Sequence, residues 1–280
     1  VKGGLNMVNK FVTACFLLFV SSIVQAQSGD FSRRSDGTPD ISGIWQALNN
    51  ANWNLEGQAA SQGPIETLGA IGAVPPEQSV VEAGTIPYQA AAAEQRAQNF
   101  SNRRTDDPEA KCFMPGIPRA TYMPQPFQIF QTDSDIMMAY QFAGAVRTVF
   151  MSEHMEAPID SWMGWSNGRW EGDTLVIEVS GLNPNWLDRA GNFYSNAAKI
   201  TERYTPSGPF HLDYEVTIED PDVYEEAWSI SMTLYRRVEE STRLYEFKCA
   251  EFAEEIMYGH LSKENYFRNL GIDINGGNDE

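Results

Sequence analysis

The fold class of this chain is indicated most clearly by the segment Phe210-His-Leu-Asp-Tyr-Glu-Val-Thr-Ile-Glu219. Apolar residues at positions 210, 212, 214, 216 and 218 alternate with polar residues at each position between them. Because successive side chains of a β-strand point to opposite faces, this period of two predicts a strand with one buried face. The opposite face carries His211, Asp213 and Glu215, and we expect it to be wet or to line a polar cavity.

Further short stretches of strand-forming residues lie on both sides of this segment, separated by turn residues. We predict strands at residues 43–45, 127–131, 136–142, 145–151, 162–170, 174–180, 199–205, 228–236 and 243–249. Connections this short favour antiparallel hairpins over parallel crossovers. The pattern therefore predicts a mainly β protein of about 8–10 strands, either an antiparallel barrel or a two-layer sandwich, since both remove exposed sheet edges.

The residues before this β-rich body differ from it in composition. Residues 27–125 contain the first predicted strand and, from position 46 onwards, are rich in Gly, Pro, Ala and Gln. One helix is predicted at residues 87–100, where helix formers follow a proline. Three prolines argue against another helix after Asn102. We expect an extended N-terminal arm wrapping a barrel body of residues 126–262, with a short helix at 250–258 and a flexible tail at 263–280.

Residues 1–26 have the pattern of a secretory signal peptide. Lys10 precedes the apolar run Phe11-Val-Thr-Ala-Cys-Phe-Leu-Leu-Phe-Val-Ser-Ser-Ile-Val24, and Ala26 is a small residue before the expected cleavage point. The run is too short to cross a bilayer. We therefore expect a periplasmic or secreted protein without a transmembrane segment.

Composition limits the partners of the chain. It has 38 Asp and Glu against 20 Lys and Arg, a formal net charge of −18. Nucleic acids are bound through clustered basic residues, so a nucleic-acid partner is not expected. Hydrophobic residues make up 42% of the chain, which is enough to bury a core and excludes a disordered protein. The sequence does not indicate an oligomeric state.

Three cysteines are present, and removal of residues 1–26 leaves Cys112 and Cys249. An even number of cysteines in an oxidising compartment favours a disulfide between them. Neither has the neighbours typical of a catalytic thiol or a zinc ligand. Two separate buried thiols are the alternative interpretation.

Metal chemistry has little support in the sequence. The three histidines stand alone without metal-ligand spacing, so no metal and no other cofactor is predicted. The acidic stretch Glu219-Asp-Pro-Asp-Val-Tyr-Glu-Glu226 is interpreted as a solvated hairpin tip, with a calcium site as the alternative.

Several motifs together resemble a broad family of exported bacterial proteins. They are Asp40-Ile-Ser-Gly-Ile-Trp45, Cys112-Phe-Met-Pro-Gly-Ile-Pro-Arg119, Pro126-Phe-Gln-Ile129, Gly168-Arg-Trp-Glu-Gly-Asp-Thr-Leu-Val176 and Trp186-Leu-Asp-Arg-Ala-Gly191. This resemblance implies export and a β-rich body, and it implies no particular reaction. Gly43-Ile-Trp45 is also similar to the Gly-x-Trp strand that opens lipocalin-like barrels, in which the Trp plugs the closed end.

Candidate binding residues cluster in the long loop at residues 181–195 and in the arm. A loop of this length between strands is typical of a binding loop, and we place it at the mouth of a barrel cavity. The predicted ligand-binding residues share an aromatic ring or a guanidinium: Arg119, Tyr122, Trp165, Trp186, Arg189 and Tyr194.

Three residues are candidates for acid or base chemistry. Asp188 lies in the long loop, where its alternative role is to cap the loop by bonding its own backbone. His154 follows a strand in apolar company. Glu202 would need a partner if buried, and Arg119, Arg147 and Arg189 are the candidates.

Two hypotheses of function follow, and a third remains open. In the first, an exported protein binds an apolar or aromatic small molecule in an aromatic-rich barrel cavity. In the second, the same cavity belongs to a hydrolase, lyase or isomerase that uses His154 or Asp188 as acid or base; convergence of His154, Asp188 and Glu202 in one pocket would favour it. A structural protein of the envelope, the third hypothesis, would have no deep cavity.

Overall fold

A computed structural model describes residues 31–63, 65–152, 154–261 and 270–271 of the chain. The predicted signal peptide and nearly all of the predicted tail lie outside the described residues. The described strands are β1 (Gly43–Ala47), β2 (Phe127–Gln131), β3 (Asp135–Tyr140), β4 (Val146–Phe150), β5 (Trp165–Glu171), β6 (Thr174–Ser180), β7 (Asn185–Trp186), β8 (Phe193–Tyr194), β9 (Lys199–Gly208), β10 (His211–Glu219) and β11 (Trp228–Arg236).

Nine of these strands form a closed barrel in the order β1-β11-β10-β9-β6-β5-β4-β3-β2. The predicted mainly β, lipocalin-like barrel is confirmed, and the sandwich alternative is not adopted. Strand β1 closes the barrel because it pairs antiparallel with both β2 and β11. The small β7–β8 pair forms a separate two-stranded sheet within the long loop.

The barrel departs from the predicted antiparallel pattern at one pair. Strands β4 and β5 run parallel, with Val149 opposite Ser166 and Phe150 opposite Asn167. A parallel pair needs a long crossover, and residues 151–164 supply it. The barrel is therefore mixed rather than wholly antiparallel.

The alternating stretch behaves as expected from position 211 onwards, but Phe210, predicted on the buried face, lies outside β10 and is 52% exposed. Leu212, Tyr214, Val216 and Ile218 of β10 all have an exposure of 0%, whereas the residues between them are mostly exposed. Their inward side chains pack against those of β9 and β11 in the register that places Tyr214 beside Tyr204. The wet face of this strand is thus its outer face.

The seam between β1 and β11 is closed by a Trp and an Arg. Trp45 is buried, its Nε1 donates to the Ile41 carbonyl at 2.9 Å, and the Arg236 guanidinium lies 4.3 Å above its ring. Gly43 is favoured here because its φ is +140°, a backbone conformation that residues with a Cβ rarely adopt. The glycine of the Gly-x-Trp pattern therefore corresponds to a backbone requirement of β1.

The prediction of a strand at residues 243–249 is wrong. With β1 paired on both sides, the barrel has no free edge to which another strand could add. Residues 237–261 instead form what we call the C-terminal strap, which contains α3 (Ala253–Tyr258) and a 3₁₀ turn (Gly259–Leu261). The strap crosses to the arm, where the Phe252 N–H donates to the Ala110 carbonyl at 2.8 Å.

The predicted disulfide is confirmed and ties the strap to the arm. Cys112 and Cys249 are bonded, with their Cα atoms 5.7 Å apart. The arm contains α1 (Ala90–Ser101), which begins three residues after the predicted start at 87 and ends one residue after the predicted end. Contrary to the prediction of no helix after Asn102, one helical turn, α2 (Arg103–Asp106), forms and ends before Pro108. Two 3₁₀ helices, Glu66–Gly72 and Arg119–Tyr122, were not predicted either. Isolated β-bridges, such as that between Val81 and Ile230, connect the arm to the barrel.

Candidate functional site

The barrel interior is occupied by side chains. Glu202 of β9 accepts hydrogen bonds from Arg147 of β4 at 2.6 and 3.2 Å, and from the hydroxyls of Tyr204 and Tyr214 at 2.9 and 2.7 Å. Glu202, Tyr204 and Tyr214 have an exposure of 0%, so no solvent-sized space adjoins them. Burial raises the pKa of both tyrosines well above its usual value.

The ligand cavity that we predicted inside the barrel is therefore not found around these side chains. Trp45 and Tyr140, two large aromatic residues of the buried core, are 1% and 2% exposed. An interior packed to this degree leaves no volume for a small molecule. The open space of the protein lies elsewhere.

A cleft of about 400 Å³ lies beside the barrel, between the arm and the C-terminal strap. The arm, the turn after β3, the long loop and the strap each contribute to its walls. Its aromatic and aliphatic lining includes Trp53, Val74, Phe100, Ala110, Phe142, Phe247 and Phe252; its charged lining consists of Arg103, Arg104, Asp107, Glu109, Arg189, Lys248, Glu254 and Glu255.

One wall of the cleft is built on a cluster of ion pairs, Asp107, Glu109, Arg119 and Arg189, which we call the ion cluster. Arg119 donates to both oxygens of Asp107 at 2.8 and 3.1 Å and to Glu109 at 2.8 Å. Arg189 donates to both oxygens of Glu109 at 2.8 and 2.6 Å. Such bidentate pairs hold guanidinium groups in fixed orientations.

The two arginines control the ionisation of Glu109. Burial alone would raise its pKa, but Arg189 and Arg119 outweigh this and lower the pKa to about 2. Glu109 is therefore charged at any physiological pH. Arg119 is fully buried, and its Nε has no hydrogen-bond partner among the described atoms.

Arg189 of the long loop is held at the cleft by a hydrogen bond of its backbone and by a contact between its guanidinium and the ring of Trp53. The Arg189 N–H donates to the Asn52 carbonyl at 3.0 Å, and its guanidinium lies 4.3 Å above the ring of Trp53. Gly191 allows the loop to approach α1: its φ is +85°, and a Cβ there would lie 2.8 Å from the Phe100 nitrogen. The predicted binding loop thus contributes one side chain to the cleft.

Asp188 occupies the centre of this loop in the geometry of a loop cap. Its carboxylate accepts from the backbone N–H groups of Leu55, Ala190 and Asn192 at 2.8, 2.9 and 3.2 Å, and from the Asn192 amide at 2.6 Å. Burial raises its pKa to about 6, against the lowering effect of these donors and of Arg119. This arrangement matches the alternative interpretation, in which Asp188 bonds its own loop.

The three acid-base candidates are not brought together. His154 is exposed in the β4–β5 connection, whereas Asp188 and Glu202 have an exposure of 0% in two separate hydrogen-bond networks. The acidic stretch at 219–226 is organised by Asp220, which accepts from the Ser195 N–H and hydroxyl at 2.6 and 2.9 Å. In the part of the chain that the structure describes, no group of three or more His, Cys, Asp or Glu residues is arranged to hold a metal ion.

Of the six predicted ligand-binding residues, Arg189 lines the cleft and Arg119 lies behind it in the ion cluster. Tyr122 and Tyr194 are 0% exposed, and the Tyr122 hydroxyl donates to the Leu187 carbonyl at 2.9 Å. Trp186 is 8% exposed, and Trp165 stacks on Phe150 with ring centroids 4.8 Å apart. None of these four aromatic residues lines the cleft.

Sequence reasoning missed the aromatic and basic residues that do line it. Phe247 and Lys248 directly precede Cys249, and Arg103 follows α1 by two residues. The predicted disulfide was the signal that could have found them, because it brings the residues around position 249 next to the arm.

Comparisons with known proteins give no further assignment: no protein-family model and no curated protein matches this chain. Among the described helices, none is both long enough and apolar enough to cross a bilayer.

Proposed function

We propose that this is an exported binding protein for an apolar or aromatic small molecule, and that the molecule binds in the cleft between the arm and the C-terminal strap. The observation that carries the proposal is the cleft itself. Its volume of about 400 Å³ falls within the range of small-molecule sites, and its lining combines aromatic side chains with a few charged groups.

The walls of the cleft are held in place by bonds that do not depend on a ligand. The Cys112–Cys249 disulfide and the Arg104–Glu255 ion pair, at 2.7 Å, join the strap to the arm. The ion cluster joins the arm to the long loop. Pre-organised walls reduce the entropy lost on binding, which favours a binding role for this cleft.

The enzyme hypothesis receives no comparable support. A hydrolase, lyase or isomerase would need an acid or base that reaches the bound molecule. His154 is not among the residues that line the cleft, Asp188 is bonded within its loop, and Glu202 is inside the barrel. None of the three predicted acid-base residues reaches the cleft, so binding is the function we propose.

The proposed site can be tested by filling the cleft. Ala253 is exposed at the start of α3 and lines the cleft, so Ala253→Trp should occupy part of its volume while the fold is kept. Binding of N-phenylnaphthylamine, a neutral probe whose fluorescence rises in apolar surroundings, should weaken by about tenfold or more, as expected for a ligand that loses its contact area.

The matched control is Ala93→Trp, an exposed alanine of α1 outside the cleft lining. It should leave binding of the probe unchanged. Equal binding by both variants, or no binding by the wild-type protein, would reject the cleft as the site.

Export of the protein is part of the same proposal. It rests on the signal-peptide pattern of residues 1–26 and on the resemblance to exported bacterial proteins. N-terminal sequencing of protein recovered from the periplasm or medium should begin near residue 27. Full-length protein retained in the cytoplasm would contradict it.

A further inference from the structure

The charged groups of the cleft are unequally paired. Asp107 and Glu109 are held by Arg119 and Arg189 in the ion cluster. Arg104 pairs with Glu255 at 2.7 Å. Among the lining residues, these contacts leave two cations, Arg103 and Lys248, and one carboxylate, Glu254, outside any ion pair between described residues.

Arg103 presents an open set of donors. Its guanidinium lies 4.2 Å above the ring of Phe100, and its Nη1 donates to the Phe100 carbonyl at 2.8 Å. A guanidinium has five N–H groups, so most of its donors have no acceptor within the part of the chain that the structure describes. The ring and the carbonyl restrict its orientation, which lowers the entropy that it would lose on binding an anion.

Lys248 is the second cation of the cleft lining that has no ion-pair partner among the described residues. It is exposed on the cleft side of the strap, one residue before the disulfide-bonded Cys249. Within the described residues its ammonium group forms no ion pair. The disulfide fixes the backbone next to it, so its position relative to the arm is set by a covalent bond.

Two of the five aromatic rings that line the cleft disfavour a cationic ligand. Cations bind aromatic faces, but guanidinium groups already lie on a face of Trp53 and of Phe100. A cationic ligand would therefore meet like charges at these rings. An anion would meet the donors of Arg103 that have no acceptor among the described residues, and it would compete there with Glu254, a carboxylate of the lining that acts on Arg103 electrostatically.

We propose that the ligand of the cleft is an aromatic carboxylate, with its carboxylate bound by Arg103, assisted by Lys248, and its ring packed among the aromatic lining. The fork of a guanidinium matches the two oxygens of a planar carboxylate. Phe247 and Phe252 on the strap and Phe100 on the arm provide the apolar surface for the ring. This inference rests on the proposed function, because it names the class of molecule that the cleft binds.

Isothermal titration of the wild-type protein with three compounds of similar shape tests the inference. The probes are 2-naphthoate, its neutral amide 2-naphthamide, and the cationic 2-naphthylmethylamine. The carboxylate should bind about tenfold or more tightly than the amide, since a hydrogen bond to a charged group contributes more than a neutral one. The amine should bind most weakly.

Substitutions then assign the carboxylate to its partners. Arg103→Gln and Lys248→Gln should each weaken 2-naphthoate binding and leave 2-naphthamide binding unchanged. Arg243→Gln removes one positive charge from the same strap outside the cleft and is the control that should not alter either. Lys248 is exposed, so its variant keeps the test valid if Arg103→Gln fails to fold.

The possible failures are distinct. The inference would be overturned if 2-naphthoate and 2-naphthamide bound with equal affinity, or if Arg103→Gln weakened the binding of both compounds equally. Either result would leave the proposed function standing. Absence of binding by all three compounds and by N-phenylnaphthylamine would reject both.

Discussion

Arg147 and Glu202 form an ion pair inside the barrel, with Nη1 of Arg147 2.6 Å from Oε2 of Glu202. They belong to β4 and β9, which are not neighbours in the sheet, so the pair joins two sides of the barrel across its interior. The two side chains are 2% and 0% exposed. An ion pair buried to this extent is kept only because each charge compensates the desolvation of the other.

Glu202→Gln should therefore lower the free energy of unfolding by about 3–5 kcal/mol, since it leaves the Arg147 charge buried without a counter-ion. Arg147→Met should cost a similar amount, and the double variant should cost less than the sum of the two. Urea denaturation provides the measurement. Arg169→Gln is the control: its partners Glu171 and Glu178 are both on the barrel surface, and each such pair contributes about 1 kcal/mol or less. Additive losses would show that the pair is not coupled.

The sequence predicted the barrel strands well because their signal is local. The alternation at 210–219 and the apolar runs at 127–131 and 174–180 define strands without reference to the rest of the chain. The parallel β4–β5 pair could not be predicted, since it depends on the path of residues 151–164. The strand predicted at 243–249 does not form for a similar reason. Strand propensity is a local property of the sequence, whereas closure of the barrel depends on strands far apart in the chain.

Covalent closure by Cys112 and Cys249 should contribute strongly to stability. The bonded residues are 137 positions apart, for which the chain-entropy model gives about 4–5 kcal/mol. Reductant should therefore lower the urea midpoint of the wild-type protein. A variant with both Cys112→Ala and Cys249→Ala should be less stable and insensitive to reductant. Alkylation of both cysteines in intact, unreduced protein, seen by mass analysis, would exclude the bond.

Acid should destabilise the protein through Glu109. Its pKa is about 2 in the folded protein, below its ordinary value, so its contribution is present above about pH 4.5 and is lost as the pH falls towards 2. The difference is roughly 3 kcal/mol. Stability curves of wild type and Glu109→Gln, measured in urea from pH 2 to 7, should therefore approach each other as the pH falls below about 4.5. The stability curve of Glu251→Gln, a change at an exposed residue of the strap, should run parallel to that of wild type. A difference in the free energy of unfolding between wild type and Glu109→Gln that stayed constant with pH would contradict the pairing of Glu109 with Arg119 and Arg189.

The site was less predictable than the fold. Arg147 was one of three candidate partners for Glu202, and only the barrel register selects it, since Arg119 and Arg189 pair with Glu109 instead. Trp186 and Tyr194 are aromatic residues of the kind found in binding sites, but their side chains are buried within their own loop. The cleft is formed by segments far apart in sequence, so its lining follows from tertiary contacts that no local pattern contains.

Asp188 provides the last test, because its loop-capping geometry and a catalytic role predict different results. Asp188→Ala removes the acceptor for three buried backbone N–H groups, those of Leu55, Ala190 and Asn192. Each unsatisfied donor costs about 1–3 kcal/mol, so the variant should be destabilised by at least about 3 kcal/mol. Hydrogen exchange should accelerate at these three amides.

Weaker binding of N-phenylnaphthylamine should accompany this loss, because the Asp188 loop holds Arg189 and Trp53 at the cleft. The matched control is Asp160→Ala, an exposed aspartate of the β4–β5 connection, which should leave both stability and exchange unchanged. If Asp188→Ala kept full stability and unaltered exchange at Leu55, Ala190 and Asn192, the capping role would be wrong. Asp188 would then regain its place as a candidate acid or base.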